Sequence, residues 1–309
     1  MALTLLEASK RNSGDVVRSA VIQMFAENSQ LLSVIPWEDI PGGALAYTQE
    51  GKLPGVAFRG FNEAYDESVG IVNPQVETLR IAGGDLDCDK ALLKTRGESI
   101  RSDEEARKVK ALTLNITSKI INGDSATNPR EFDGFRVRIS GSQLIPANLS
   151  TPNANAPLSL EALDAAIDAV DGPTHLIMSK GMRRKLTNAA RANVGGDITW
   201  KIDEFGHRIT LYNDLPIVIA DYDDEGQDIM GFDEAGPAGG NTSASIYVVN
   251  FGSGYVTGLQ NGVMDVKDLG EIDAKPVLRT RVEWLVGLAV MHGRAIARVW
   301  GIQNAAVTA

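Results

Sequence analysis

The sequence predicts an α+β fold, and three stretches carry that prediction. Pro36 to Gly97 shows no convincing helical period, yet it is rich in apolar side chains. A strong amphipathic helix follows, from Ser102 to Asn122. Near the C-terminus, two runs alternate with the period of a strand. Helical and strand patterns interleave in the region between.

The first stretch is an anomaly. Most connections in compact domains span about 4–6 residues, and this one is far longer. Tyr47, Phe58, Phe61, Tyr65, Val69 and Ile71 make it too apolar for a solvated tail. Leu45 and Tyr47 share a face of a short strand, Leu45–Gln49, and a second strand is expected at Gln75–Ala82. Lys52 to Gly70 forms the tip of this two-stranded excursion. The partner expected for its side chains is another copy of the chain, which makes it a candidate assembly arm. Ahead of it, Val17, Ala20, Val21, Met24 and Phe25 give residues 1–35 helical character, and Pro36 ends that pattern.

The helix has the strongest pattern. Ser102 is read as its N-cap, and Glu105 three residues on completes a capping box. Val109, Leu112, Ile116 and Ile120 form one apolar stripe, and Asn122-Gly123 is a stop. A short strand is expected at Phe135–Ile139, and the turn-rich run Ala147–Pro157 marks a domain boundary. Beyond it, Ser159 caps a helix carrying Leu160, Leu163, Ile167 and Val170, and His175–Met178 reads as a strand. Ser179 caps a basic helix with Met182, Leu186 and Ala189 inward. Strands are expected at Ile209–Tyr212, Ile217–Ala220, Ile246–Asn250 and Tyr255–Leu259. The C-terminal strands carry Leu278, Thr280, Val282, Trp284 and Val286, then Ile296, Arg298 and Trp300, and a turn near His292-Gly293 is expected to pair them.

Composition narrows function. The 309 residues are 43% hydrophobic and 23% charged, ordinary values for a globular protein. A net charge of −10 opposes non-specific nucleic-acid binding. Cys88 is the only cysteine, which excludes an intramolecular disulfide and cysteine-rich zinc sites. The N-terminus lacks a signal-peptide core, and no apolar run approaches the ~20 residues of a membrane span. A soluble protein that is not exported by a cleaved signal is expected.

Enzyme chemistry finds little support. His175, His207 and His292 are far apart and are read as isolated histidines. Gly252-Ser253-Gly254 with Gly258 has the wrong spacing for a dinucleotide fingerprint and reads as a turn between strands. Asp221 to Gly226 begins like a calcium loop, but Phe232 stands where the twelfth-position carboxylate is needed. Asp85, Asp87 and Asp89 alternate; they are read as keeping an exposed strand soluble and opposing edge pairing. No catalytic residue, metal site or cofactor is assigned. Asp221–Glu234, including Asp223, Asp224 and Glu225, holds seven acidic residues and no basic one, and Lys180–Arg191, including Arg183 and Arg184, holds five basic residues and no acidic one. Such runs are usually solvated faces; in a ring of identical subunits they would meet across a heterologous contact.

The order of arm, extended loop, spine helix, mixed region and returning strands resembles the major capsid proteins of tailed bacteriophages. Phe58-Arg59-Gly60-Phe61-Asn62-Glu63-Ala64-Tyr65 looks like the extended-loop segment of one branch of that family. Gly83-Gly84-Asp85-Leu86-Asp87-Cys88-Asp89-Lys90 looks like the return of that loop. Ile121-Asn122-Gly123-Asp124 followed by Asn128-Pro129-Arg130-Glu131-Phe132-Asp133-Gly134-Phe135 resembles the turn after the spine helix.

The resemblance implies an N-terminal arm at 1–43, an extended loop at 44–88 and a peripheral domain at 89–145 with the spine helix at 102–122. It also implies an axial domain at 146–274 and strands at 275–309 returning to the peripheral domain. The implied function is a shell protein, built into pentamers and hexamers of an icosahedral virion capsid around double-stranded DNA. That DNA is held without sequence-specific binding, and no membrane is involved. Assembly in the host cytoplasm is implied, with a separate scaffolding protein, a portal and a decoration protein as partners. Lys52, Phe58, Arg59, Phe61, Tyr65, Arg183, Arg184, Asp223, Asp224 and Glu225 are the candidate inter-subunit contacts. Some relatives crosslink a loop lysine, and Lys52 lies in that region, but no crosslink is assigned. Arg279, Arg281, Arg294 and Arg298 are read as a mild basic patch on the inner face or as partners of acids such as Glu283. Two alternatives stay open: an encapsulin-like compartment around a cargo enzyme, and an α/β enzyme with a long lid loop.

Overall fold

The computed structural model describes residues 29–97, 99–192, 198–202, 208–262, 264–273 and 275–308. The pattern from Val17 to Phe25 and His207 lie outside the described residues. The chain begins with α1 (Gln30–Val34), β1 (Trp37–Asp39), β2 (Ala44–Lys52), β3 (Ile71–Thr78) and β4 (Arg80–Asp89). Then come α2 (Lys90–Arg96), the spine helix α3 (Ser99–Asn122), α4 (Phe135–Arg138), β5 (Leu144–Pro146), α5 (Leu160–Ala169), β6 (His175–Met178) and α6 (Lys180–Arg191). Strands β7 (Ile198–Ile202), β8 (Arg208–Tyr212), β9 (Leu215–Ile219), β10 (Glu234–Ala235) and β11 (Asn241–Val249) follow. The last strands are β12 (Val256–Gln260), β13 (Asp265–Ile272), β14 (Lys275–Val290) and β15 (Ile296–Gln303).

The strands form three sheets. One runs β1-β12-β14-β13, with β4 also paired to β14. A second runs β5-β15-β11-β6-β9-β8-β7, with β10 paired to β11. The third is the isolated ribbon β2-β3.

The spine helix is 24 residues long, about 36 Å at 1.5 Å per residue. Its stripe of Val109, Ile116 and Ile120 packs into one core with Val282, Trp284 and Val286 of β14. The helix starts before Ser102, which lies within it and is not its cap. Arg101 explains the extra turn. Its Nε donates to Glu105 (3.1 Å), while Nη2 donates to Thr280 Oγ1 and pairs with Asp268, both at 2.8 Å. Those contacts tie the first turn to the sheet, a tertiary gain that local capping signals do not encode.

Residues read as the end of an arm are part of the body. Leu31 and Leu32 are fully buried, and Ser29 Oγ hydrogen-bonds Thr117 Oγ1 on α3 at 2.8 Å. Trp37 packs on Trp284 with ring centroids 4.6 Å apart. A Cβ at Gly258 would lie 2.6 Å from the Trp37 ring, so this glycine seats the indole against β12. Gly252 begins the turn between β11 and β12, as its sequence suggests, with Tyr255 N donating to Gly252 O at 3.1 Å.

The turn after the spine helix closes on two glycines. Gly134 N donates to Gly123 O at 2.9 Å, and a Cβ at Gly123 would lie 2.4 Å from Phe132 O. Asp133 Oδ1 accepts from Ser125 N at 2.8 Å. The next residues form the helical turn α4, where a strand is expected from sequence. Five residues are too few for periodicity to separate the two, and Phe135, fully buried against Tyr247, fixes the turn.

Other expectations also change. The span read as free of helix contains α2, whose N-cap Asp89 accepts from Ala91 N at 2.7 Å. The returning strand of the loop is two strands, β3 and β4, divided at Leu79. Asp85 and Asp87 are not bare solubilising charges: each pairs with an arginine of β14, Arg281 and Arg279 respectively, through two hydrogen bonds of 2.6–2.9 Å. Those arginines hold both carboxyls below the usual carboxylate range through the hydrogen bonds they donate.

The two C-terminal strands do not form a hairpin. β14 pairs with β12, β13 and β4, whereas β15 pairs with β11 and β5 in the other sheet. Alternation reports that a run is a strand but not which strand lies beside it. Accordingly β15 does not return to the sheet under α3, while β12 and β13, placed by sequence in the mixed region, do join it. The second core covers the eight-stranded sheet. There Leu163 of α5 and Met182 and Leu186 of α6 pack on Ile246, Val248 and Val299.

Candidate assembly surface

The ribbon β2-β3 is antiparallel, with Leu45 opposite Glu77 and Tyr47 opposite Gln75. Pro74 sits in β3, and a strand paired on one side only tolerates it. A lone two-stranded ribbon is marginal in water, and nearly every residue of β3 is exposed. Ile71, Val72 and Val76 therefore display apolar surface along the returning strand.

The tip, 53–70, has no regular structure but is locally ordered. Gly60 N donates to Glu63 Oε2 at 2.8 Å, and Arg59 Nη1 donates to Glu63 O at 3.2 Å. The Arg59 guanidinium lies over the Tyr65 ring, 5.1 Å from its centroid. Asn62 takes a left-handed φ of 66° in the middle of this turn, which asparagine tolerates. Ser68 Oγ donates to Gly55 O at 2.7 Å and closes the neck. Held this way, Phe58 and Phe61 are fully exposed, at 106% and 104%. Lys52 ends β2, paired with Ile71; its side chain lies outside the described residues.

A groove of about 310 Å³ lies between α3 and β4. Ile81, Leu112, Phe132, Val282 and Val286 line it, with Arg80, Lys108, Lys119 and Arg130 against Glu131 and Asp224 as its charged groups.

The two charge runs meet within the subunit. Lys180 pairs with Asp221, and Lys185 Nζ donates to Ala305 O at 2.8 Å while lying 4.8 Å from the Phe232 ring centroid. Asp223 Oδ1 accepts from Glu225 N and Gln227 N, the mark of a tight acidic turn. Asp224 accepts from Asn115 on the spine helix at 3.1 Å. Arg184 and Glu225 remain exposed, and Arg183 is half-buried.

The four C-terminal arginines are also satisfied internally. Arg279 and Arg281 face Asp87 and Asp85, and Arg294 lies 3.3 Å from Asp171. Arg298 is buried against Glu234 at 2.6 Å. A basic patch is thus neutralised by acids that sequence order keeps far away. Burial pushes His175 down to about pH 4 beside Phe251, whereas His292 sits near Asp171 on another edge. Among the described residues no group of acidic, histidine and cysteine side chains is arranged to hold a metal.

Residues 13–154 match the family model described as Major capsid protein GP7. No curated protein sequence matches the chain. Among solved structures, the holo-SrpI encapsulin complex from Synechococcus elongatus matches with a TM-score of 0.64 at 16% identity, covering 91% of this chain and 89% of that one. A structure from Mycobacterium phage Bobi gives a TM-score of 0.61 at 11% identity, covering 88% and 89%. The capsid of a native GTA particle gives 0.60 at 14% identity, covering 88% and 90%. These likenesses establish the fold, shared by phage capsids and encapsulins, and the family match over 13–154 favours the phage capsids. With the extended loop, the spine helix and the turn after it all inside the matched region, the chain has the fold of phage capsid proteins and is similar to the major capsid family over residues 13–154.

Proposed function

We propose that the loop of each subunit docks on a neighbouring copy and that this contact drives closure of an icosahedral shell of pentamers and hexamers around double-stranded DNA. The observation that carries the reading is the tip turn, which spends hydrogen bonds on holding Phe58 and Phe61 in solvent. Burying one such ring contributes about 1.5–3 kcal/mol, and a closed shell repeats the contact in every subunit, so modest contacts sum to a stable assembly.

The receiving surface we assign is the groove between α3 and β4 of the neighbour. Its apolar floor suits Phe58 and Phe61, and four basic against two acidic groups complement a tip carrying Glu63, Asp66 and Glu67 against Arg59. Arg183 and Arg184 facing the neighbour's Asp223, Asp224 and Glu225 would be a second contact, beyond the internal Lys180–Asp221 pair. The five-stranded sheet with α3 serves as the peripheral part and the eight-stranded sheet as the axial part. A net charge of −10 suits a container that leaves its genome mobile. A separate scaffolding protein, a portal and a decoration protein complete the proposed partners, and assembly takes place in the host cytoplasm.

Replacing 53–70 by a two-residue turn tests the reading. We expect soluble subunits with unchanged circular dichroism that form no shells by electron microscopy. Intact shells from that variant would refute the docking role.

A further inference from the structure

We propose that Glu77 and Arg138, assisted by Tyr47, form a clamp that fixes the angle at which the loop leaves the body and thereby the curvature of the shell. This rests on the docking reading above. Among the described residues the ribbon's apolar contacts with the body lie near its base. There Leu45, Tyr47 and Leu79 pack on Ile40, Leu259 and Ala289.

The polar part of that base converges on one guanidinium. Arg138 Nη1 and Nη2 donate to Glu77 Oε1 and Oε2 at 2.5 and 2.8 Å. Nη2 also donates to Leu288 O of β14 at 3.1 Å, and Nε donates to Asp133 O in the turn after the spine helix at 2.8 Å. Tyr47 Oη lies 3.0 Å from Val290 O and 3.3 Å from Glu77 Oε1, positioned to donate to either. One residue of the loop is therefore bolted to the spine-helix turn and to β14 together.

Two features make this a device for direction and not only for adhesion. The arginine fork is planar and bidentate, so tilting the ribbon breaks two aligned bonds together. Both side chains are largely buried, 14% and 19% exposed, so water replaces those bonds poorly. The lever is long enough to matter. Gln75, opposite Tyr47, lies four residues from the far end of β3 at Ile71, about 13 Å of ribbon. A 10° tilt at the base then moves the end of the strands by about 2 Å, whereas a gap of about 1 Å already forfeits much of a packing contact. An unclamped loop presents the same aromatic rings at a spread of angles, and neighbouring subunits then meet at a spread of angles too.

Glu77 and Arg138 are positioning residues, so the test reads geometry apart from stability. Spin labels at Ala57→Cys and Ala126→Cys, in a Cys88→Ala background, report the loop-to-body distance distribution in unassembled full-length subunits. Unlabelled chains with the same clamp changes are assembled and their particle diameters measured by electron microscopy. For Glu77→Gln and Arg138→Lys we expect a distribution at least twofold broader, and particles of mixed diameter at a yield at least fivefold lower. Tyr47→Phe, which removes one hydroxyl, is expected to broaden the distribution less; it keeps the test usable if the charged-site variants fail to fold. An unchanged distribution overturns the clamp. Broadened distributions with wild-type yield and uniform diameters overturn its role in curvature. The docking reading fails separately, when replacement of 53–70 leaves shells intact.

Discussion

The loop and the eight-stranded sheet are both built from apolar strands, yet they solve opposite problems. In β11 seven of nine residues are buried, with β15 and β6 on its two sides. In β3 none of eight is fully buried, and none of the described side chains of its single partner, β2, is either. Each strand carries one isoleucine and two valines. What differs is where their partners come from: the same chain for β11 and, on the docking reading proposed above, another copy for β3. On that reading the subunit separates folding, which the sheets settle, from assembly, which the loop awaits. Substitutions in the two regions should therefore move different observables.

The largest effect on the subunit itself is expected at Arg298. Its Nη2 donates to Glu234 Oε2 at 2.6 Å and its Nε to Ser245 Oγ at 2.9 Å, with the two charged side chains only 7% and 3% exposed. Arg298→Met strands the Glu234 charge in the interior, and breaking such a pair costs about 3–5 kcal/mol. Urea unfolding of unassembled subunits should show that loss as a lower midpoint. The double variant Arg298→Met/Glu234→Met should recover most of it, because an apolar pair carries no orphaned charge.

A smaller effect, also confined to the sheets, follows from His175. Burial lowers its pKa from 6.5 to about 4, so the folded chain holds it neutral where the unfolded chain takes up a proton. The unfolded state binds more protons between those values, so stability falls as pH drops through that window and is fully retained above it. At about 1.4 kcal/mol per pKa unit the loss reaches about 3 kcal/mol. Unfolding midpoints between pH 7.5 and 4.5 measure it, and His175→Gln should flatten the slope. Asp85, Asp87, Asp124 and Asp268 are held below their ordinary values by hydrogen bonds, so their contribution is lost below this window and does not confuse it.

How much of this was legible in the sequence follows from the range of each signal. The stripe of Val109, Ile116 and Ile120, the Ser179 cap and the exposed rings of the loop are local patterns, and the structure keeps them. Pairing is not local. The alternation at 278–286 and 296–300 is that of two strands, but only the placement of β4 and β11 assigns them to different sheets. Ion pairs share that blindness. Arg138 and Glu77 stand 61 residues apart and Arg279 and Asp87 stand 192 apart, so neither pair leaves a periodic trace. In the Pro36–Gly97 segment, exposure could be anticipated because the apolar excess has no helical or core pattern to satisfy it. The clamp at its base could not, because Arg138 falls in a short run that reads equally well as strand or helix.

The smallest effect on the subunit is expected where the effect on assembly is greatest. Phe58→Ser and Phe61→Ser remove rings that touch almost nothing in the isolated chain, since both are fully exposed. The tip turn that presents them depends on Gly60, Glu63, Arg59 and Tyr65, which these changes leave in place. Subunit stability should therefore shift by no more than about 0.5 kcal/mol, the range of ordinary surface substitutions, and unfolding midpoints should overlay the parent. Light scattering during assembly should show the opposite: the single variants slowed and the double variant without shells. Glu63→Ala sharpens the distinction, because it keeps both rings but frees Gly60 N, and it should impair assembly by loosening the display and not by removing the contact. Were the double variant to assemble as the parent does, the apolar excess of this segment would need a partner within the subunit, and the contrast between β3 and β11 would lose its meaning.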